Sequence, residues 1–168
     1  MPNLSGRQHL SGYAKSTDIA PSRFMSGNYT VSTLPSAASN AQKYAWVTDL
    51  FDGQPDLVIS DGTNWKPVRP LASKVVANAN QAMTLTPLLN SPTQIMRGTL
   101  SAARTVTLST TYAYSGARFR IKREAGGLFN LNIAGLVTVA LSGISPSWMD
   151  MEYVPSEGWV QTASGGLL

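Results

Sequence analysis

The chain has 168 residues, 43% hydrophobic and only 13% charged, with one His and no Cys. The lack of Cys excludes disulfide stapling, thiolate metal centres and a thiol nucleophile, and the lone His9 excludes a two-histidine metal clamp. The formal charge of +4 is spread evenly, seven basic against five acidic residues up to Gln81 and six against four beyond it, so steering towards a nucleic acid would be weak.

Roughly a fifth of the residues are Ser or Thr and charge falls to about half its usual share, a composition that favours a β-rich fold with a hydroxyl-bearing surface. The length fits one large domain or two small ones. The first residues, Met1-Pro2-Asn3-Leu4-Ser5-Gly6-Arg7, contain no apolar run of the kind a secretory leader needs, so a cytoplasmic site of synthesis is expected. Apolar stretches such as Leu136 to Leu141 are strand-sized, and no membrane span is expected.

Residues Met1 to Asn28 show neither a helical nor an alternating period and are expected to form an extended arm. It is either a solvated tail or an arm that orders on a partner, in which case Leu4, Leu10, Tyr13, Phe24 and Met25 are its apolar anchors. From residue 29 to 70 short alternating runs predict a small β module: Tyr29 to Leu34, Lys43 to Asp49, Leu57 to Ser60 and Trp65 to Val68. Pro35 to Gln42 suits one or two helical turns, and Asp61-Gly62-Thr63-Asn64 predicts a tight turn between strands. Residues 71–81 read as a connector, with a short helix open to Ala72 to Ala79.

Beyond the connector, strand-like runs recur at roughly ten-residue spacing from residue 82 to 168. They are Met83 to Thr86, Thr93 to Leu100, Thr105 to Ser109, Ala117 to Glu124, Leu128 to Ile133, Leu136 to Leu141, Trp148 to Val154 and Trp159 to Ala163. The expectation is an all-β chain: an arm, a small module and a jelly-roll-like antiparallel β-sandwich. Gly-containing links at Ala125-Gly126-Gly127 and Ala134-Gly135 predict a three-strand meander around Leu128 to Ile133. Inward stripes are expected at Val106 with Leu108, Phe119 with Ile121, Phe129 with Leu131 and Ile133, Val137 with Val139 and Leu141, and Met149 with Met151 and Tyr153. Leu128, Leu136 and Trp148 fall on the outer register, where a subunit interface would need apolar groups.

Arg118, Arg120 and Lys122 share one strand face about 7 Å apart, and form either an anion-binding stripe or an interface whose cations pair with Asp150 and Glu152. The same two carboxylates resemble a glycosidase pair only in spacing, because an exposed strand face does not split their pKa values. Asp49, Asp52, Asp56 and Asp61 lack calcium-loop spacing and are expected to be solvated turn carboxylates. Gly126-Gly127 lacks the Lys and hydroxyl of a phosphate cradle. No catalytic residue, cofactor or metal site is expected, and Trp46, Trp65, Trp148 and Trp159 serve packing or sugar stacking.

Three stretches, Tyr29-Thr-Val-Ser-Thr-Leu-Pro-Ser-Ala, Tyr44-Ala-Trp-Val-Thr-Asp and Ile59-Ser-Asp-Gly-Thr-Asn-Trp-Lys-Pro-Val, resemble a module of structural proteins of tailed bacteriophages. Thr99 to Thr110, Gly116 to Ile121, Asn130 to Ile133, Trp148 to Tyr153 and Gly158 to Ala163 are similar to the C-terminal β domains of phage fibres, spikes and head decorations. The resemblance implies a non-enzymatic virion component, assembled in the host bacterial cytoplasm and commonly a homotrimer. The arm would then bind the major capsid protein or another virion protein. The short chain, without a visible shaft repeat, suits a capsid decoration or short head fibre. The alternative is a tail-fibre or adhesin component that binds a host surface glycan. In either case Leu50 to Pro55 is longer and more apolar than the usual turn of such a module.

Overall fold

The computed structural model describes residues 23–69, 72–76, 80–124, 127–135, 138–141 and 147–166. Leu4, Leu10 and Tyr13 lie outside them. The structure is mostly β, as expected, and begins with strand β1 (Phe24–Tyr29), which pairs in parallel with β2 (Tyr44–Asp49). Phe24 and Met25 therefore sit in a strand rather than in a free arm. Gly27 takes a positive φ of 105° where the β1 register shifts between Phe24 and Asn28, a conformation its missing Cβ permits.

Strands β3 (Gln54–Ser60) and β4 (Trp65–Pro67) complete a four-stranded sheet in the order β1-β2-β3-β4. The expected hairpin turn is present, with the Asp61 carboxylate accepting the Thr63 and Asn64 amides at 2.8 and 2.7 Å. The stretch expected as a strand over Tyr29 to Leu34 instead coils into a 3-10 turn at Val31–Thr33. Thr33 Oγ1 accepts the Thr30 amide at 2.8 Å, the local side-chain bond by which hydroxyl residues draw backbone away from a ladder.

All eight strands expected after the first module are found. They are β6 (Met83–Leu85), β7 (Thr93–Met96), β8 (Arg104–Leu108), β9 (Arg118–Arg123), β10 (Leu131–Ala134), β11 (Thr138–Leu141), β12 (Ser147–Val154) and β13 (Gly158–Gly166). A further strand, β5 (Ser73–Val76), occupies the stretch expected as a connector or helix.

The connectivity differs from a jelly roll. From β5 to β10 consecutive strands alternate between two sheets, β13-β12-β9-β7-β5 and β11-β10-β8-β6. Within them β5, β7 and β9 are parallel neighbours, as are β6, β8 and β10. The chain thus winds in solenoid-like coils, each placing one strand in each sheet, before β11, β12 and β13 close the ends in antiparallel fashion. Parallel neighbours require a long crossover, and here the crossover itself carries the opposite sheet's strand. The expected meander is accordingly reduced to its β10–β11 hairpin, because β9 belongs to the other sheet.

The two sheets share a core of Met96, Phe119, Ile121, Met149 and Met151 from one and Leu85, Val106, Leu131, Ile133 and Leu141 from the other. Trp159 closes it, its indole N–H donating to the Ser109 carbonyl at 3.0 Å. Phe129, expected inward, is exposed in the bend before β10, beside an Leu128 that is 93% exposed. A second core lies in the first module around Val31, Val47, Leu50, Val58 and Trp65.

Candidate functional site

Arg118, Arg120 and Lys122 alternate on β9, and β12 runs antiparallel beside it with Glu152 opposite Arg118, Asp150 opposite Arg120 and Trp148 opposite Lys122. The opposition produces two ion pairs. Arg120 grips Asp150 with Nε and Nη2 at 2.6 Å each, and Arg118 reaches Glu152 at 2.7 Å. The Arg120 guanidinium lies 4.9 Å from the centre of the Trp148 ring, which in turn rests on Gly165, where a Cβ would come within 2.8 Å of the indole nitrogen. The bond to Asp150 raises the pKa of Arg120 above its ordinary value.

The stripe is therefore largely neutralised within the chain, and among the described residues only Lys122 of the three has no carboxylate partner. Arg123, one position on, points the other way: it is 1% exposed and donates Nη1 to the Phe129 carbonyl at 2.6 Å. Desolvation lowers its pKa.

The carboxylates of the first module are not idle turn groups. Asp49 accepts the Val31 amide at 2.7 Å, Asp56 pairs with Arg69 at 3.0 Å and Asp61 with Lys66 at 2.7 Å. Among the described residues no group of three or more His, Asp or Glu could hold a metal ion, and no helix is long and apolar enough to cross a membrane.

Asp52 does something else. The loop Leu50–Gly53 carries Phe51 and Asp52 through the left-handed region, with φ of 48° and 64°. That conformation inserts the loop into the turn after β6. The Phe51 and Asp52 amides donate to the carbonyls of Leu88 and Leu89 at 2.8 and 2.6 Å, and Ser91 Oγ donates to the Phe51 carbonyl at 3.1 Å. The Asp52 carboxylate accepts the Ser91 amide at 2.8 Å and pairs with Lys74 at 2.9 Å. Burial pushes its pKa up, but the bonds from Ser91 and Lys74 outweigh burial and hold it below the ordinary value. Leu88, itself at φ 66°, is buried in the first module's core although it belongs to the coils. Through these bonds and the burial of Leu88 the Leu50–Gly53 loop locks the two units together.

No protein-family model, curated protein or solved structure matches the chain. The site's geometry thus stands by itself.

Beside the seam lies a cleft of about 190 Å³ lined by Val31, Leu34, Ala37, Thr63, Asn64, Trp65, Leu88 and Tyr112. The sequence pointed to Trp65 and the Asp61 turn, gave Asp52 only as a solvated turn carboxylate, and left Leu88 and Tyr112 unmarked. Asp52-Gly53 was the available signal, since that dipeptide favours a left-handed turn.

Proposed function

We propose that the protein is a non-enzymatic structural component of a tailed-phage virion, a trimeric head decoration or short head fibre anchored through its N-terminal arm. The observation that carries this reading is the hydrogen-bonded joining of two β units through the Phe51–Asp52 loop, with the surrounding ionisable groups engaged in holding the fold. Every described Asp and Glu except Glu157 accepts a hydrogen bond or pairs with a cation. Such a body transmits position and presents surface. The hairpin from Ile59 to Val68, on which the phage resemblance chiefly rests, is the β3–β4 pair around the Asp61 turn.

Exposed apolar groups supply the contacts a trimer and a shell would need: Trp46 and Phe24 on the first module, Leu128 and Phe129 at the bend before β10. Because β1 begins at Phe24, the arm is best removed by deleting residues 1–22. The truncated chain is expected to keep its β circular dichroism and its oligomeric mass while losing attachment to particles assembled without it. Immunogold labelling of purified particles gives the location. Label on the head supports the proposal, label on the tail supports a fibre, and no label on any particle overturns the virion reading.

A further inference from the structure

We propose that the cleft beside the seam binds one neutral pyranose ring. Its volume of about 190 Å³ is below the roughly 300 Å³ at which drug-sized pockets begin, which restricts the occupant to a single ring. Among the described residues no charged side chain lines it, and Asp61 and Lys66, which flank Asn64 and Trp65 in the chain, pair with each other at 2.7 Å. A neutral ligand with one apolar face and several hydroxyls fits those walls: Val31, Leu34 and Leu88 give the apolar floor, and Thr63, Asn64 and Tyr112 the polar and aromatic rim. The side chains of these three rim residues make no hydrogen bond to any described residue, and only the backbone of Thr63 and Asn64 is used by the turn.

Tyr112 is the decisive residue. It is the third position of a turn closed by the Ala113 amide on the Thr110 carbonyl at 3.1 Å, with φ 58°, a place where glycine is ordinarily found. A bulky side chain in the left-handed region is strained. Leu88 shares that strain but is compensated by burial, whereas Tyr112 is 40% exposed and its ring borders the cleft. A tyrosine at this position makes physical sense where the ring stacks on a ligand, because sugar C–H faces pack on exposed aromatic rings while hydroxyls find amide and hydroxyl partners. A ligand of this size would bind with a dissociation constant on the order of 1 mM.

The test is an NMR titration of the full chain with methyl glycosides of glucose, galactose, mannose and N-acetylglucosamine, following the amides of Asn64 and Tyr112 and the Trp65 indole. Saturating shifts are expected for at least one glycoside. Tyr112→Gly should weaken binding at least tenfold without lowering the melting temperature, since glycine relieves the turn, while Tyr112→Phe should stay within a few-fold. Asn64→Ala, which leaves the turn's backbone bonds in place, should also weaken binding several-fold and serves if the glycine variant fails to fold. No saturating shift up to about 50 mM, equal binding by Tyr112→Gly or by Asn64→Ala, or the same shifts from cyclohexylmethanol, would overturn the assignment. None of these outcomes touches the virion reading, which labelling tests separately.

Discussion

If the Asp52 loop locks the two units, Asp52→Ala should both destabilise the chain and uncouple its parts. The Ser91 amide, held at 2.8 Å in a partly buried position, would lose its acceptor, at about 1–3 kcal/mol. The Lys74 bond at 2.9 Å adds up to about 1 kcal/mol, because half of the lysine side chain is exposed. Alanine also tolerates the left-handed backbone at φ 64° less well than aspartate. The expected loss is thus about 2–4 kcal/mol. Asp52→Asn keeps an acceptor and the backbone tolerance, and should cost only about 1 kcal/mol.

Urea unfolding measures the totals, and amide exchange at Val47 and Ile121, one in each core, reports whether the units still open together. In the alanine variant the Val47 amide should exchange first. The folded-state pKa of Asp52 is depressed, so its contribution is complete above the unfolded value near 3.8 and fades as pH falls through the folded pKa. An alanine variant within about 0.5 kcal/mol of the parent, or with exchange still coincident, would refute the locking role.

Three further outcomes follow from single contacts. The bond from Lys66 and the Asn64 and Thr63 amides hold the Asp61 carboxyl at about 2. Its contribution to stability is therefore full above pH 3.8 and lost between there and pH 2, and Asp61→Asn should flatten that limb; an NMR titration midpoint near 4 would contradict it. Gly135→Ala should cost about 1–3 kcal/mol by urea unfolding, since the new Cβ would meet the Trp159 carbonyl oxygen and Cβ at 2.9 Å, and a neutral effect would show that this approach is loose. Removing both carboxylates of the stripe, Asp150→Asn with Glu152→Gln, should free Arg118 and Arg120 and delay elution from heparin, steepening the salt dependence by about one unit per cation. Unchanged retention would mean the arginines are not held by those partners.

Much of the charged surface was legible before the fold. Arg118, Arg120, Asp150 and Glu152 alternate on their own strands, so adjacency of those strands was all that pairing required, and the antiparallel β9–β12 ladder supplies it. Arg123 was legible only as the next charge in the run, yet the pleat turns it into the core. The seam was harder to see. Phe51, Leu88 and Tyr112 are poor candidates for left-handed backbone by local preference, and what holds Phe51 and Leu88 there is packing between segments far apart in the chain.

The sequence by itself determined where the strands of the second unit after β5 lie and, for most of them, which side faces inward, because period-two alternation and glycine-bearing turns are local signals. Only the tertiary structure decided which sheet each strand joins. A link of a few residues can close a hairpin or carry the chain across to the other sheet, and the alternation is the same in both. The choice depends on a partner one coil away, and the unequal offsets from Ser73 to Thr93 and from Thr93 to Arg120 leave no repeat to announce it.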